Sequence, residues 1–210
     1  MRIYLLLLLV YCVKLVSAQE EQPIYSYPKY AVGVTPSALF HTFGGLQISQ
    51  DFGLTDDFNF TLESAYLFSS IYKRALNGTR IRGGFEHLFY ADRDFGVQIG
   101  LTGLYRYTKE LYFREIFYPE GYTEKVPITK TKTLYGIVMS FGLVTYISDR
   151  FLLETGLGLG YGKLLIEDDL DNGMGEEGLW NIFTGPSLDS PGTWDIPITY
   201  FHLNFSYRIF

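Results

Sequence analysis

Cysteine is nearly absent from this 210-residue sequence, since Cys12 is the only one and lies in an apolar run near the N-terminus. The run follows Arg2, and the small residues that end at Ala18 have the pattern of a cleavage site. Residues 1–18 are therefore predicted to be a secretory signal peptide. The mature chain would then contain no cysteine, which excludes a small exported fold held together by disulfides.

Long apolar runs are also absent after residue 18, so no helical transmembrane segment is predicted. Yet 47% of the residues are hydrophobic and 18% are aromatic, which is a large share for a soluble exported domain. The formal charge of −6 becomes −8 without Arg2 and Lys14, and the acidic residues are concentrated between 167 and 195. The rest of the mature chain is about neutral, which argues against a nucleic-acid partner.

A glycine-rich run, FLLETGLGLGYGK (151–163), has the composition of a phosphate-binding loop but not its spacing. A P-loop has a glycine five residues before its Gly-Lys pair, and Leu157 stands at that position. The run instead places glycine at every second residue, which is the period of a β-strand. The glycines at 156, 158, 160 and 162 are predicted to face the interior of a narrow barrel, where they leave room for arginine and tyrosine side chains.

The same period of two recurs along the mature chain and predicts eight strands, each with one apolar face and one small, polar or charged face. The predicted strands are 30–40, 44–52, 58–68, 80–90, 95–108, 134–147, 151–163 and 198–210. Tight turns at 54–57, 91–94 and 148–150 alternate with longer loops at 69–78, 109–132 and 167–195. This order is typical of an all-β, eight-stranded antiparallel up-and-down transmembrane β-barrel over residues 30–210, preceded by a short periplasmic segment, 19–29.

A soluble lipocalin-like barrel would alternate in the same way, so the distribution of charge decides between the two classes. The apolar face carries almost no charged residue, and the lysines of the mature chain are predicted to lie in loops or at strand ends. A lysine or arginine on a lipid face costs about 2–4 kcal/mol at the bilayer midplane, which accounts for that distribution. Aromatic residues at the strand ends, such as Phe95 and Tyr105, are predicted to form two interfacial girdles.

The opposite face carries charges of both signs, which are predicted to pair within a plugged lumen and form a structural network without an open pore. The predicted members are Asp51, Glu63, Arg80, Arg82, Glu86, Arg106, Glu154 and Arg208. A path for protons or ions along these residues is the alternative interpretation.

Patterns for catalysis and metal binding are weak. His202 and Ser206 share a strand face, but four residues of strand separate them by about 13 Å, too far for a nucleophile and its base. The oxygen-rich stretch 168–173 resembles a calcium loop but departs from the EF-hand pattern at Leu170 and Leu179. No catalytic residue, metal or cofactor is therefore predicted. The alternatives are an outer-membrane lipid-modifying enzyme and a secreted ligand-binding barrel.

Three stretches carry a family resemblance: FLLETGLGLGYGK, the strand FGVQIGLTGLYRY and the closing LNFSYRIF. Over roughly residues 30 to 210 the pattern resembles an uncharacterised family of small Gram-negative outer-membrane β-barrels, related in architecture to OmpA/OmpX-type barrels. The resemblance implies an outer-membrane location, contact with lipid and lipopolysaccharide, and recognition of the terminal Phe210 by the barrel-assembly machinery. Phe210 follows Ile209 out of phase with the apolar face. The expected role is structural or interactive, with an unknown surface partner at the loops 109–132 and 167–195.

Overall fold

The computed structural model describes residues 28–40, 43–70, 75–90, 95–117, 121–148, 150–169 and 191–209. The predicted signal peptide, the turn 91–94, most of the loop 167–195 and Phe210 lie outside these ranges. Within them the chain forms eight strands and one short 3-10 helix, Pro36–Phe40. The strands are β1 Tyr30–Val34, β2 Phe43–Gly53, β3 Phe58–Ser70, β4 Ala75–Tyr90, β5 Phe95–Phe117, β6 Thr123–Tyr146, β7 Phe151–Asp168 and β8 Gly192–Arg208.

All eight strands belong to one antiparallel sheet, in which neighbours in sequence are neighbours in space. β1 also pairs with β8, so the sheet closes on itself. The predicted all-β fold with eight antiparallel strands is confirmed. One end of the closed sheet, called the turn end, carries the tight connections 54–57 and 147–150; the other is called the loop end.

The register determines how far the strands tilt. Ala31 pairs with Asp51 on β2 and with Arg208 on β8. A path that starts at Asp51 and passes from each residue to its partner on the next strand, from β3 to β8, ends at Ile198. Ile198 is ten residues away from Arg208 along β8, so the sheet closes with a stagger of ten residues. Eight strands with that stagger tilt by about 43° and enclose a radius of about 8 Å. The interior is therefore narrow enough for side chains to fill.

The faces of the sheet are oriented as the alternation predicts. Outward positions are apolar and exposed, as at Leu101 and Leu157, whose side chains are 57% and 60% exposed. Inward positions are largely polar and buried, as at Gln98 and Asn204, which are 1% and 2% exposed. A water-soluble protein has the opposite arrangement, with its polar groups outside.

The first strand is shorter than predicted. β1 ends at Val34, and the chain turns into the 3-10 helix at Pro36. Proline has no N–H to donate to the sheet, which explains why the predicted strand 30–40 stops there. The helix is joined to β8, because the backbone N–H of Leu203 donates to the hydroxyl of Ser37 at 2.9 Å.

The segment 109–132, predicted as a loop, instead continues β5 and β6. The two strands stay paired as far as Phe117 and Thr123. The β-branched and aromatic residues of this segment do alternate as in a strand. Charged residues of both signs lie among them and make that alternation harder to recognise in the sequence. The prediction that lysines lie in loops or at strand ends is wrong for Lys130 and Lys132, which lie within β6 and are 3% and 5% exposed. It is also wrong for Lys109 and Lys163, which lie inside β5 and β7.

Candidate functional site in the interior of the closed sheet

All eight charged residues predicted for the lumen lie at interior-facing positions of the closed sheet. They come from six strands, β2, β3, β4, β5, β7 and β8. Asp51, Arg82, Glu86 and Glu154 are buried, and the other four are half-buried. The structure brings these residues together in distinct layers rather than in one continuous network.

One ion pair lies near the middle of the interior. Arg82 on β4 and Glu63 on β3 are directly opposite each other in the sheet. The Nε and Nη2 groups of Arg82 both donate to Oε2 of Glu63. The guanidinium also lies over the ring of Tyr200, at 4.0 Å from the ring centroid. Arg82 is thus held by one carboxylate and one aromatic face.

Three carboxylates, Asp51, Glu86 and Glu154, lie toward the turn end and form what we call the acidic layer. In the described ranges, the hydrogen bonds to these carboxylates come from neutral side chains. Ser206 donates to Asp51 at 3.4 Å, and Thr61 donates to Glu86 at 3.1 Å. Neutral donors of the interior therefore hold these three carboxylates.

Asn204 on β8 connects the acidic layer to the seam where the sheet closes. Its amide nitrogen donates to Glu154 at 2.8 Å and to Ser206 at 2.9 Å. Its amide oxygen accepts from Thr35 at 3.2 Å and from Ser49 at 3.1 Å. These partners belong to β7, β8 and β2 and to the end of β1. Sequence reasoning missed this residue, because its partners lie up to 169 residues away.

Basic residues lie nearer the loop end. Arg80 and Arg106 are direct partners on β4 and β5, so two like charges face the same region. The Nη2 group of Arg80 donates to Oε1 of Gln47 at 2.6 Å. Arg80 and Arg106 therefore lie on the loop-end side of the acidic layer, whereas Arg208, the last residue of β8, faces the interior at the turn end.

A second buried ion pair lies closer still to the loop end. The ammonium of Lys132 is 3.2 Å from Glu110, whose side chain is fully buried. Sequence reasoning missed this pair because both residues lie in the segment that was predicted to be a loop. The period of two that Thr108, Glu110 and Tyr112 continue from β5 was the signal that could have placed Glu110 in a strand.

Apolar clusters flank the polar layers. Four side chains close the interior at the turn end: Leu88, Val144, Tyr146 and Leu152. Six more pack between β5 and β8 toward the loop end: Leu104, Leu134, Val138, Leu164, Ile166 and Ile198. Sequence reasoning expected a small or polar interior face and did not predict these clusters.

The glycine run of β7 faces the interior, as predicted. A Cβ at Gly158 would collide with the ring of Tyr200, and one at Gly156 would collide with His202. At Gly160 and Gly162 the nearest atoms belong to the backbone of β6 and to aliphatic side chains. The space-making role is confirmed for a tyrosine and a histidine, whereas no arginine is among the nearest atoms.

His202 and Ser206 have different neighbours in the interior. The ring of His202 lies 5.9 Å from that of Tyr200, on the same strand. The hydroxyl of Ser206 instead contacts Asn204 and Asp51. This geometry does not assemble a nucleophile with a base.

The outer surface carries an apolar band bounded by aromatic residues. β5 has outward-facing Phe95 and Tyr105, and β7 has outward-facing Phe151 and Tyr161, ten residues apart in each strand. Ten residues tilted by about 43° rise about 24 Å along the axis. Aromatic rings also contact one another near the turn end, where Phe151 lies 5.2 Å from Tyr207.

The described ranges hold no group of three or more His, Cys, Asp or Glu side chains with the geometry for a metal ion. Most of the predicted oxygen-rich stretch 168–173 lies outside those ranges. No helix in the part of the chain that the structure describes has the length and apolarity to cross a membrane.

In comparisons with known proteins, no family model, no curated protein and no solved structure matches this chain.

Proposed function

We propose that the closed sheet is a transmembrane β-barrel of a bacterial outer membrane, exported through the signal peptide at residues 1–18. In this proposal the barrel is a structural or surface-interaction protein with a plugged lumen. It is also proposed to belong with the small Gram-negative barrels that the sequence resembles.

The observation that carries the proposal is the inverted distribution of polarity. Exposed leucine, isoleucine and phenylalanine side chains surround the sheet, while aspartate, glutamate and arginine side chains are buried within it. An exposed apolar surface of this extent is unfavourable in water, since soluble monomers rarely expose patches beyond a few hundred Å². In hydrocarbon the same surface carries no such cost, and the buried charges keep the ion pair and hydrogen bonds described above.

The dimensions of the apolar band support the same proposal. Its height of about 24 Å agrees with the band of about 25 Å on outer-membrane barrels. The tyrosines and phenylalanines at its borders are the residues that favour membrane interfaces. Lys109, Lys125 and Glu124 lie beyond the loop-end border, where water would solvate them.

The parts that extend past the band are proposed to act outside the cell. At the loop end, β5 and β6 continue beyond the other strands, and residues 112–117 and 123–128, which we call the projecting ribbon, pair only with each other in the described ranges. Phe113 in this ribbon and Tyr122, just before β6, are 65% and 53% exposed. We propose this ribbon, together with the loop near 167–195, as the surface that meets a partner or lipopolysaccharide.

Site-directed labelling tests the proposal directly, because the chain after Cys12 has no cysteine. An environment-sensitive fluorophore at Leu157→Cys is expected to be quenched by nitroxides on lipid acyl chains after reconstitution into vesicles. The same label at Glu124→Cys is the matched control and is expected to respond to a water-soluble quencher instead. If both labels report water while the protein keeps its strand content, the exposed band does not face lipid.

Flotation with vesicles and gel mobility supply an independent measurement. The mature protein is expected to float with lipid and to migrate differently when it is boiled than when it is not. A protein that stays in the soluble fraction with no lipid bound would instead favour a secreted ligand-binding barrel.

A further inference from the structure

A groove opens on the outer surface between β4, β5 and β6, in the loop-end half of the apolar band. Its volume is about 410 Å³. Its outward-facing lining comprises Ile81, Gly83, Gly103, Tyr105, Tyr135 and Ile137. The groove is therefore apolar at its floor and lined by two tyrosine side chains.

The groove exists because two glycines meet on the outer face. Gly83 and Gly103 are direct partners across β4 and β5. A Cβ at Gly103 would meet only the carbonyl oxygen of Gly83, at 3.8 Å, and one at Gly83 would come no closer than 3.6 Å to Leu62. Packing within the protein therefore tolerates a side chain at either position. Glycine weakens a strand interior, so this pair lowers stability without relieving any internal collision.

The neighbourhood of the groove indicates what fills it. A volume of 410 Å³ accommodates on the order of ten methylene-sized groups, if each occupies about the 30 Å³ of a water molecule. Tyr105 and Tyr135 are direct partners at the end of the groove nearest the membrane border, and Lys163 is the next residue in the same outward row. The row thus offers two hydroxyls and one cation above an apolar slot. The ammonium of Lys163 is 3.8 Å from Asp195, and both side chains are about half exposed.

We propose that this groove binds one acyl chain of an anionic membrane lipid, whose phosphate lies against Tyr105, Tyr135 and Lys163. The inference rests on the proposed membrane location. In hydrocarbon, the gain comes from dispersion contacts along this open groove rather than from removal of water. The basic and hydroxyl groups select a lipid with a negative head group, because a charge-assisted hydrogen bond is stronger than a neutral one.

Filling the groove tests the proposal. The double variant Gly83→Leu/Gly103→Leu places side chains in the groove, and Thr155→Leu, at an outward position of β7, places a leucine elsewhere on the band. Each protein is reconstituted into vesicles of phosphatidylcholine and phosphatidylglycerol in equal parts, extracted in mild detergent and weighed by native mass spectrometry. The fraction that retains one phosphatidylglycerol is expected to fall several-fold in the double variant and to stay unchanged in Thr155→Leu.

Several outcomes would overturn the inference. Equal retention by the double variant and the wild type would show that the slot holds no lipid. A wild-type dimer that the double variant dissociates would show that a second copy of the chain fills the slot. Flotation of each protein with the same vesicles separates these failures from a failure of the membrane proposal, since a protein that does not float has no lipid-facing surface.

The head-group contacts have a separate test. Lys163→Gln is expected to lower the retention of phosphatidylglycerol relative to phosphatidylcholine several-fold. Asp195→Asn removes the competing carboxylate and is expected to preserve or increase it. If both variants lower retention equally, Lys163 acts only as one half of its ion pair and does not bind the phosphate.

Discussion

Among individual residues, Glu63 and Arg82 show most clearly how the interior stabilises the closed sheet. The pair is buried, and Arg82 has its charge satisfied by one carboxylate and by the ring of Tyr200. Removal of one partner leaves an isolated charge in a region that water does not reach freely. The stability lost on removing one partner is therefore larger than the net stability that the intact pair contributes, because the remaining ion keeps its desolvation penalty.

Glu63→Gln is therefore expected to lower the free energy of unfolding by about 3–5 kcal/mol, measured by denaturant titration of the reconstituted protein. The double variant Glu63→Leu/Arg82→Met removes both charges and is expected to lose less than the single one. Glu124→Gln, at an exposed position of β6, is the control and is expected to change stability little. A double variant less stable than Glu63→Gln would contradict this view of the pair.

Gly158 and Gly103 differ in what surrounds them: Gly158 leaves space for the ring of Tyr200, whereas Gly103 has open space beside it. Gly158→Ala places a methyl group against the ring of Tyr200 and is expected to destabilise the protein by about 1–3 kcal/mol. Gly103→Ala meets nothing closer than 3.8 Å and is expected to be neutral or stabilising by up to about 1 kcal/mol. Thermal or denaturant unfolding measures both, and Gly158→Ala combined with Tyr200→Leu should recover the loss. Similar effects of the two single variants would show that the glycine run does not make space for Tyr200.

At the level of strands, the projecting ribbon is expected to be dispensable for folding. Its residues pair only with each other in the described ranges, so its removal breaks no strand pairing with β4 or β7. Replacement of residues 112–128 with Asn-Gly, a favoured two-residue hairpin turn, should leave the gel-mobility shift and vesicle insertion unchanged. The same turn in place of residues 106–134 removes Arg106 and the Glu110–Lys132 pair and should abolish folding. Loss of folding with the shorter deletion would show that the ribbon contributes to the barrel itself.

The outer face of the strands could be predicted from the sequence, whereas most of the interior could not. An outward position needs only to be apolar, and alternation along one strand reveals that locally, as for Phe95 to Tyr107. An interior contact depends on the stagger of the whole sheet, which brings Asn204 to Thr35 and Glu86 to Thr61. A shift of the register by two residues would keep every side chain on its face yet change each of these partners.

For the whole molecule, the arrangement of charge in the interior bears on whether the barrel conducts. The acidic layer lies toward the turn end, and Arg80 and Arg106 lie toward the loop end, so an ion of either sign that crosses the interior passes groups of its own charge. Apolar side chains around Leu152 at the turn end and around Leu164 nearer the loop end add segments where an ion would find few polar partners. Both features oppose continuous passage, in contrast to the water-filled channels of 16-stranded porins.

The mature protein is therefore expected to produce no steady conductance in planar bilayers, even when vesicle flotation shows that it has inserted. A porin in the same bilayers supplies the positive control, and the Glu63→Leu/Arg82→Met variant should stay silent because its apolar clusters are intact. Brief, infrequent openings are compatible with thermal motion of the interior side chains. Long openings of uniform size in the wild type would require a continuous water path past the acidic layer. They would replace the structural interpretation of Asp51, Glu86 and Glu154 with that of an ion pathway.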